Sequence, residues 1–290
     1  MIFGIIGNIT KPLMKQVLPP LFTWFADRKI DIYVDSNVMR YIGLSDQDHR
    51  SCDIDMIGQT CDVVLAFGGD GTILSTARAV AKYGVPILGV NLGGLGFLAE
   101  VSVNQLYDSI EDILIHNYSI IERLALKAEI FDRPQSAVFY GLNDIVVDKA
   151  GYSRIIRVHI YINDNFLSTF LCDGVIIATP TGSTAYSLSA QGPILAPDVY
   201  GIIVNPISPH SLGARPMVIS ADSEIRIIAS VNDRNASLSA DGQIRDCLRS
   251  DEWVIVKKAD YKVKWIQYKG STFFDVLRTK LNWGIDKRMD

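Results

Sequence analysis

The chain has 290 residues, of which 48% are apolar and 21% are charged, a composition that is typical of a folded globular protein and excludes a disordered one. The 28 basic and 32 acidic residues give a net charge of −4. They form no long basic run, so nucleic acid is not an expected partner. The four cysteines and four histidines lack the spacing of a disulfide framework or a metal site.

The residues Met1–Gly7 are apolar from the start and lack a basic leader region. We interpret them as a first buried strand rather than a signal peptide. No apolar stretch reaches the length that is needed to span a bilayer. We therefore expect a cytoplasmic protein without a membrane partner.

Strand and helix patterns alternate through the first 120 residues. Continuous apolar runs predict the strands Ile2–Ile6, Ile30–Val34, Asp62–Phe67 and Val85–Val90. Apolar residues at helical spacing predict the helices Lys11–Arg28, Thr72–Tyr83 and Asn104–Asn117. This alternation indicates an α/β domain over residues 1–120, a Rossmann-like open sheet covered by helices.

After about residue 120 the pattern changes to short alternating segments that are rich in Val, Ile, Tyr and Phe. They predict the strands Ala137–Tyr140, Asp144–Val147, Ile155–Ile162, Phe166–Leu171, Val175–Ala178, Ile202–Val204, Glu224–Ile228, Trp253–Lys257 and Lys262–Gln267. We predict a β-rich domain over residues 121–267, with one short helix near Ser183–Ala190. A last predicted helix, Phe273–Leu281, would return with residues 268–290 to the first domain.

The turn Gly68–Thr72 lies between a predicted buried strand and a predicted helix. Its three glycines lack the Cβ atoms that keep a phosphate away from backbone amides, and the helix start adds N–H donors. Thr72 can cap this helix. Asp70 has the wrong charge for simple phosphate binding, so we expect it to orient a hydroxyl nucleophile, accept its proton or hold a metal ion. The alternative is a tight turn whose aspartate bonds its own backbone.

Two further glycine-containing segments have the composition of ligand-binding loops. In Asn91–Leu98, Phe97 can pack against a flat ring or simply in the core. In Asp173–Ser187, Thr181 or Ser183 can cap a short helix, and Gly182 can let a polar ligand approach. The alternative for this segment is a hydroxyl-rich helix cap without a ligand.

Two weaker signals lie elsewhere in the β-rich region. The amide of Asn143 can read an adenine edge and the carboxylate of Asp144 can hold ribose hydroxyls, although a turn is the commoner meaning of this pair. Ser239–Gln243 has the composition of a hairpin turn.

Taken together, these segments resemble the NAD kinase family in order and over most of the chain. The Gly-Gly-Asp-Gly turn also occurs in diacylglycerol kinases, sphingosine kinases and phosphofructokinases, whereas the segment Thr179–Tyr186 is much more specific to NAD kinases. The resemblance implies phosphorylation of the 2′-hydroxyl on the adenosine ribose of NAD by ATP, which gives NADP. It also implies an α/β domain followed by a sandwich-like β domain, a homodimer or homotetramer, and Mg²⁺ or another divalent metal bound with ATP rather than in a protein cage.

By motif match, Asp70 would accept the proton of the 2′-hydroxyl. The resemblance assigns nucleotide contacts to Gly69, Gly71, Thr72, Phe97, Asn143, Asp144, Asp173, Thr181, Thr184, Ala185, Tyr186, Ser189, Ile207 and Gln243. One position departs from the commoner family pattern, because Asp144 stands where a glutamate often follows the asparagine. A lipid kinase and a non-catalytic NAD sensor stay open as alternatives, and so does polyphosphate as the donor.

Overall fold

The computed structural model describes residues 1–43, 50–93, 96–99, 101–131, 133, 138–151, 155–230, 236–249, 252–268 and 272–282. The chain divides into two compact units. Unit 1 comprises Met1–Glu122 with Lys262–Asp290, and unit 2 comprises Arg123–Tyr261. In the described part of the chain, no helix is long and apolar enough to cross a membrane.

Unit 1 alternates strands and helices. Its strands are β1 (Ile2–Gly7), β2 (Asp31–Asp35), β3 (Arg50–Cys52), β4 (Val63–Gly68), β5 (Ile87–Asn91), β6 (Val101–Ser102), β7 (Ser119–Arg123) and, late in the chain, β20 (Val263–Gln267). Its helices are α1 (Met14–Asp27), α2 (Ser36–Ile42), α3 (Ile54–Thr60), α4 (Asp70–Val80), α5 (Leu106–Leu114) and α7 (Phe273–Leu281), with 3₁₀ turns at Ala81–Tyr83 and Val103–Gln105.

The strands of unit 1 form one sheet in the order β3-β2-β1-β4-β5-β20-β7, and β6 pairs with β5. Each pair of adjacent strands along the path β3-β2-β1-β4-β5-β20 is parallel. From β1 the chain moves outward to β2 and β3, and it then returns to place β4 on the other side of β1. The carboxyl ends of β1 and β4 therefore border a topological switch point, where open α/β sheets bind their ligands.

The strand β20 differs from the prediction in the sheet that it joins. Its alternating sequence predicts a strand of the β-rich domain, but Trp265 pairs with Ile87 of β5 in the parallel sheet. Both Trp265 and Ile266 are buried, as expected for a strand that is covered on both faces. A five-residue segment is too short for periodicity to distinguish these environments.

The short helices α2 and α3 were not predicted. The helix α2 has only seven residues, and it is bounded by local signals. The Asp35 side chain accepts a hydrogen bond from the Asn37 amide at its start, and Gly43 at its end is left-handed with a φ of 76°. Such caps define a helix that is too short to show a clear apolar period.

Unit 2 is a sandwich of two antiparallel sheets. Its strands are β8 (Leu126–Phe131), β9 (Val138–Gly141), β10 (Asp144–Asp148), β11 (Ile156–Ile162), β12 (Asn165–Cys172), β13 (Gly174–Ala178), β14 (Gly201–Ile207), β15 (Met217–Ser220), β16 (Ile225–Ser230), β17 (Ala236–Ala240), β18 (Ile244–Leu248) and β19 (Trp253–Lys258). A 3₁₀ turn over Thr181–Thr184 and the helix α6 (Tyr186–Ser189) follow β13.

The first sheet of unit 2 has the order β15-β14-β13-β10-β17-β18, and the second has the order β12-β11-β16-β19-β8-β9. Alternate residues such as Val147 of β10 and Val158 of β11 meet in one core. On the first sheet, Val146, Ile176 and other residues of the opposite parity form a second cluster, against which Leu195 packs. The chain after β13 thus covers the outer face of this sheet. The predicted fold class, an α/β domain with an open parallel sheet and a sandwich-like β domain, is confirmed.

Candidate active site

A cavity of about 520 Å³ opens at the switch point of unit 1, within the size range of nucleotide-sized ligand sites. The residues around it lie at or just after the carboxyl ends of β1, β2 and β4, or in the first two turns of α2, α3 and α4. They are Ile6, Gly7, Asn8, Ile9, Lys11, Asp35, Asn37, Ile54, Gly69, Gly71, Thr72 and Ser75. Three of the predicted nucleotide-binding residues, Gly69, Gly71 and Thr72, therefore lie on one cavity.

The glycine turn differs in detail from the prediction. Helix α4 begins at Asp70, with Gly69 at the N-cap position and no side-chain cap. Thr72 lies inside the first turn, where its amide donates to the Gly69 carbonyl at 2.9 Å, so the predicted Thr72 cap is wrong. A Cβ on Gly69 would have no heavy atom within 4 Å, whereas one on Gly68 would lie 2.3 Å from Thr72 Oγ1. Gly68 is thus required by packing, and Gly69 leaves open space at the helix start.

Asp70 is held by the second glycine-containing segment. Its Oδ2 accepts a hydrogen bond from the Phe97 amide at 2.9 Å, and its Oδ1 accepts one from the Leu98 amide at 3.1 Å. A Cβ on Gly96 would lie 2.0 Å from Asp70 Oδ1, so only glycine permits this approach. The half-buried Phe97 ring lies 6.0 Å from Lys280 Nζ of α7. The carboxylate is oriented by two amides and keeps acceptor capacity on both oxygens.

In unit 2, the Asn143–Asp144 pair is organised by Asp241, which belongs to the predicted hairpin turn Ser239–Gln243. The Asp241 carboxylate accepts hydrogen bonds from the amides of Leu142 (3.2 Å), Asn143 (2.8 Å) and Asp144 (3.2 Å). Its own amide donates to the Asp144 carbonyl at 3.0 Å. Asp241 and Gly242 have φ values of 49° and 64°, which explains why this Asp-Gly pair is indistinguishable from an ordinary hairpin turn.

Asp144 has the opposite environment. It is only 4% exposed, and its carboxylate accepts no hydrogen bond from any residue that the structure describes. Burial, followed by the negative charge of Asp241, raises the pKa of Asp144 to about 7. A buried carboxyl group without donors is a strong candidate for ligand recognition.

Most hydroxyls after β13 are used within the protein. The Thr179 hydroxyl donates to the Leu142 carbonyl at 2.6 Å and accepts from the Gly182 amide at 3.0 Å. The Ser183 hydroxyl donates to the Pro180 carbonyl at 2.6 Å and accepts from the Leu195 amide at 3.0 Å. Thr179 therefore caps this turn, and the predicted caps Thr181 and Ser183 are wrong.

Gly182 has a packing role that differs from the predicted one. A Cβ at this position would lie 2.0 Å from the Asn143 carbonyl oxygen. The absence of a side chain therefore lets the turn press against the backbone of Asn143 rather than making room for a ligand. This contact places the hydroxyl-rich segment directly beside the Asn143–Asp144 pair.

The remaining predicted residues of unit 2 differ in exposure. Tyr186 is 46% exposed. Its partial burial, together with the negative charges of Asp148, Asp173 and Asp144, raises the pKa of its hydroxyl. The three carboxylates therefore lie close to the Tyr186 side chain. Asp173 pairs with Lys149 at 2.7 Å. The Thr184 hydroxyl donates to the Thr181 carbonyl at 3.2 Å, and Ala185 joins the 3₁₀ turn to α6. The side chains of Ser189 and Gln243 are exposed. Ile207 is buried in the cluster on the outer face of the first sheet.

Comparison with known proteins identifies the family. The profile of the ATP-NAD kinase N-terminal domain matches residues 3–118, and that of the ATP-NAD kinase C-terminal domain matches residues 142–268. The chain belongs to the NAD kinase family. Among its relatives, the NAD kinase of Syntrophotalea carbinolica is 39% identical over 97% of this chain and 98% of its own. The NAD kinase of Caldanaerobacter subterraneus is 40% identical over 96% and 98%.

Solved structures of the family have the same fold. The yeast NADH kinase, crystallised with NADH, superposes with a TM-score of 0.90 at 25% identity and covers all of this chain and 90% of its own. An NAD kinase from Archaeoglobus fulgidus, in complex with ATP, gives a TM-score of 0.74 at 22% identity over 97% and 99% of the two chains. At that identity, the second likeness establishes the fold alone.

Proposed function

We propose that this protein transfers the γ-phosphoryl group of ATP to the 2′-hydroxyl on the adenosine ribose of NAD, which gives NADP and ADP. Membership of the NAD kinase family over nearly the full chain supports the reaction. The observation that carries the mechanism is the position of Asp70, which begins α4 beside the switch-point cavity while two amides orient its carboxylate. A lipid acceptor has no comparable support.

Asp70 is proposed as the base. Its carboxylate accepts the proton of the 2′-hydroxyl as the ribose oxygen bonds to the γ-phosphorus, and the bond from that phosphorus to the bridging oxygen of ADP breaks. Positioning and charge neutralisation account for most of the rate in such reactions. The start of α4, with the open space at Gly69, offers N–H groups and a positive dipole end to the phosphates.

We propose that the divalent metal arrives on the triphosphate. Among the described residues, no group of three or more His, Cys, Asp or Glu side chains is arranged to hold a metal ion. Mg²⁺ is commonly bound through substrate phosphates and one or two carboxylates. Asp70, whose chain neighbours Gly69 and Gly71 line the cavity, is consistent with that mode. When bound, the metal would neutralise the charge that develops on the phosphate oxygens.

We propose that the Asn143–Asp144 pair and Tyr186 recognise the acceptor nucleotide. The buried Asp144 carboxylate lacks donors from the described part of the protein, and ribose hydroxyls supply such donors. The exposed ring of Tyr186 can stack on a base. In line with the family resemblance, we also propose a homodimer or homotetramer that works in the cytoplasm.

The proposed function is tested by NADP formation with purified protein, ATP, Mg²⁺ and NAD, alongside diacylglycerol and sphingosine as competing acceptors. We expect NADP from the wild type and loss of turnover in Asp70→Asn. The matched control Asp27→Asn alters an exposed carboxylate at the end of α1 and should keep full activity. Phosphorylation of a lipid instead of NAD, or NAD binding without turnover, would refute the proposal.

A further inference from the structure

The buried side chain of Asn205 joins two parts of unit 2 and has no role in the reaction as proposed. It lies on β14 and donates hydrogen bonds to α6, the four-residue helix that begins with Tyr186. We propose that Asn205 is a positioning residue for the acceptor nucleotide, because it holds α6 where the Tyr186 ring lies beside Asp144. This inference rests on the proposed function, since the nucleotide is the acceptor of that reaction.

Asn205 is a polar residue in an apolar row. It alternates along β14 with Ile203 and Ile207, which belong to the buried cluster on the outer face of the first sheet. Its partner across the strands is Ile176 of β13, another member of that cluster. Asn205 is 0% exposed, and its Oδ1 accepts no hydrogen bond from the described residues. Because burying an unpaired amide oxygen costs free energy, the stability of the sheet alone would favour an apolar residue here.

The amide nitrogen of Asn205 binds the end of α6. It donates to the Ser187 carbonyl at 3.1 Å, to the Ser187 hydroxyl at 3.2 Å and to the Ala190 carbonyl at 3.3 Å. A helix of four residues is far shorter than helices that form on their own, and α6 has no side-chain cap at its start. The carbonyls at the end of a helix lack donors within it. Asn205 therefore supplies those donors from the sheet and fixes the helix on it.

The chain after α6 closes on the same contact. Gln191 is left-handed with a φ of 63°, and the Gly192 amide donates to the Ser187 carbonyl at 2.7 Å. A Cβ on Gly192 would lie 2.2 Å from Ser187 Oγ and 2.8 Å from Asn205 Nδ2. Ser187 itself is 0% exposed. Because backbone packs this closely around the Asn205 amide, α6 cannot shift without breaking the contact.

The place of α6 sets the place of the Tyr186 ring. Tyr186 directly precedes the buried Ser187, yet it is 46% exposed, so the helix presents this ring on its open side. Burial, followed by the charges of Asp148, Asp173 and Asp144, raises the pKa of Tyr186, which places its side chain close to the Asp144 carboxylate. A base that stacks on the ring while its ribose contacts Asp144 needs the two groups at a fixed separation. With α6 fixed, the ring is ordered before the nucleotide binds, and binding avoids that loss of entropy.

The test is a double-mutant cycle on the Kd for NAD, measured by titration calorimetry without ATP. Its members are the wild type, Asn205→Val, Tyr186→Ala and the double variant. Valine suits a strand and removes both N–H donors. The control Val158→Ala opens a cavity in the core between the two sheets and destabilises unit 2 without touching α6. The kcat at saturating NAD and the KM for ATP are measured in the kinase assay.

Asn205→Val should weaken NAD binding about 3- to 10-fold, as expected when one side chain must be ordered on binding, and leave kcat and the KM for ATP within about twofold. In the Tyr186→Ala background, the same substitution should have no further effect on the Kd, because it acts through the missing ring. Val158→Ala should lower the melting temperature and leave the Kd unchanged. The milder variant Ser187→Ala, which removes one of the three acceptors, should follow the same pattern with a smaller loss.

An unchanged Kd in Asn205→Val, an equal loss with and without the Tyr186 ring, or an equal loss in Val158→Ala would each overturn the positioning role. If Asn205→Val does not fold, the same three outcomes are decided with Ser187→Ala. A wild type that binds NAD with the expected coupling between Asn205 and Tyr186 but forms no NADP would refute the proposed function while leaving the role of Asn205 in place.

Discussion

The substitution Asp144→Asn should stabilise unit 2 in a way that depends on pH. In the folded protein, burial and the charge of Asp241 raise the pKa of Asp144 from 3.8 to about 7. The neutral form is therefore favoured in the fold, and ionising Asp144 costs the folded state free energy. Asparagine has a similar shape and carries no charge, so the variant is free of this cost.

The magnitude follows from linkage. A difference of about three pH units between the folded and unfolded pKa values corresponds to about 4 kcal/mol. The wild type loses this stability as the pH rises from about 4 to about 7, at a slope of about 1.4 kcal/mol per pH unit, and no further above that range. The variant should therefore match the wild type near pH 4 and exceed it by up to about 4 kcal/mol near pH 8.

Native-state hydrogen exchange measures this difference within unit 2 itself. Amides of β10 and β13, which pair through the buried core, should exchange only through large openings of the unit. Comparing variant and wild type at the same pH cancels the intrinsic pH dependence of exchange. Asp164→Asn, which changes a 91% exposed side chain, serves as the control. A difference that stays constant between about pH 4 and pH 8 would refute the assigned environment of Asp144.

Three further predictions concern turnover, substrate binding and packing. Asp70→Asn should lower kcat by about 10²- to 10⁴-fold while the Kd for NAD stays within tenfold; a variant with wild-type kcat would contradict the role of Asp70 as base. The KM for NAD should fall as the pH rises from about 6 to about 8, because the ionised Asp144, whose pKa is about 7, accepts hydrogen bonds from the ribose hydroxyls. In Asp144→Asn the KM should not depend on pH over this range. A pH-independent KM in the wild type would contradict this contact. Gly182→Ala should destabilise the protein by about 1–3 kcal/mol in urea unfolding, because the added Cβ would lie 2.0 Å from the Asn143 carbonyl oxygen. The control Gly93→Ala, whose Cβ would have no heavy atom within 4 Å, should leave the free energy of unfolding nearly unchanged. Equal effects of the two substitutions would contradict the packing argument.

Much of the fold was predictable because its determinants are local. The run Asp62–Phe67 predicts β4 to within one residue, and the predicted helix Phe273–Leu281 has the bounds of α7. Two of the differences from the predicted elements, β20 and α2, concern an element whose environment is set at long range and one that is short. The strand β20 owes its place to β5, which lies far away in sequence, and α2 is defined by its caps rather than by an apolar period.

For the candidate site, the sequence singles out the glycine-rich and hydroxyl-rich segments and the Asn143–Asp144 pair. For Asp241 the sequence predicts only a place in the hairpin turn Ser239–Gln243, because its contacts with the amides of residues 142–144 depend on the register of β10 against β17, in which Ile145 lies opposite Ala240. The cavity of unit 1 was not predicted for a similar reason. Its residues come together because β1 lies between β2 and β4, and strand order cannot be read from a single sequence.

The contact between Gly182 and the Asn143 backbone also limits how this protein can diverge. With the carbonyl oxygen 2.0 Å from any added Cβ, a larger residue at position 182 requires the chain near position 143 to move. Such a movement displaces the amides that Asp241 binds. Three stretches that are distant along the chain are therefore constrained to change together, so substitutions in one of them should be accepted only in backgrounds where the others have already adjusted.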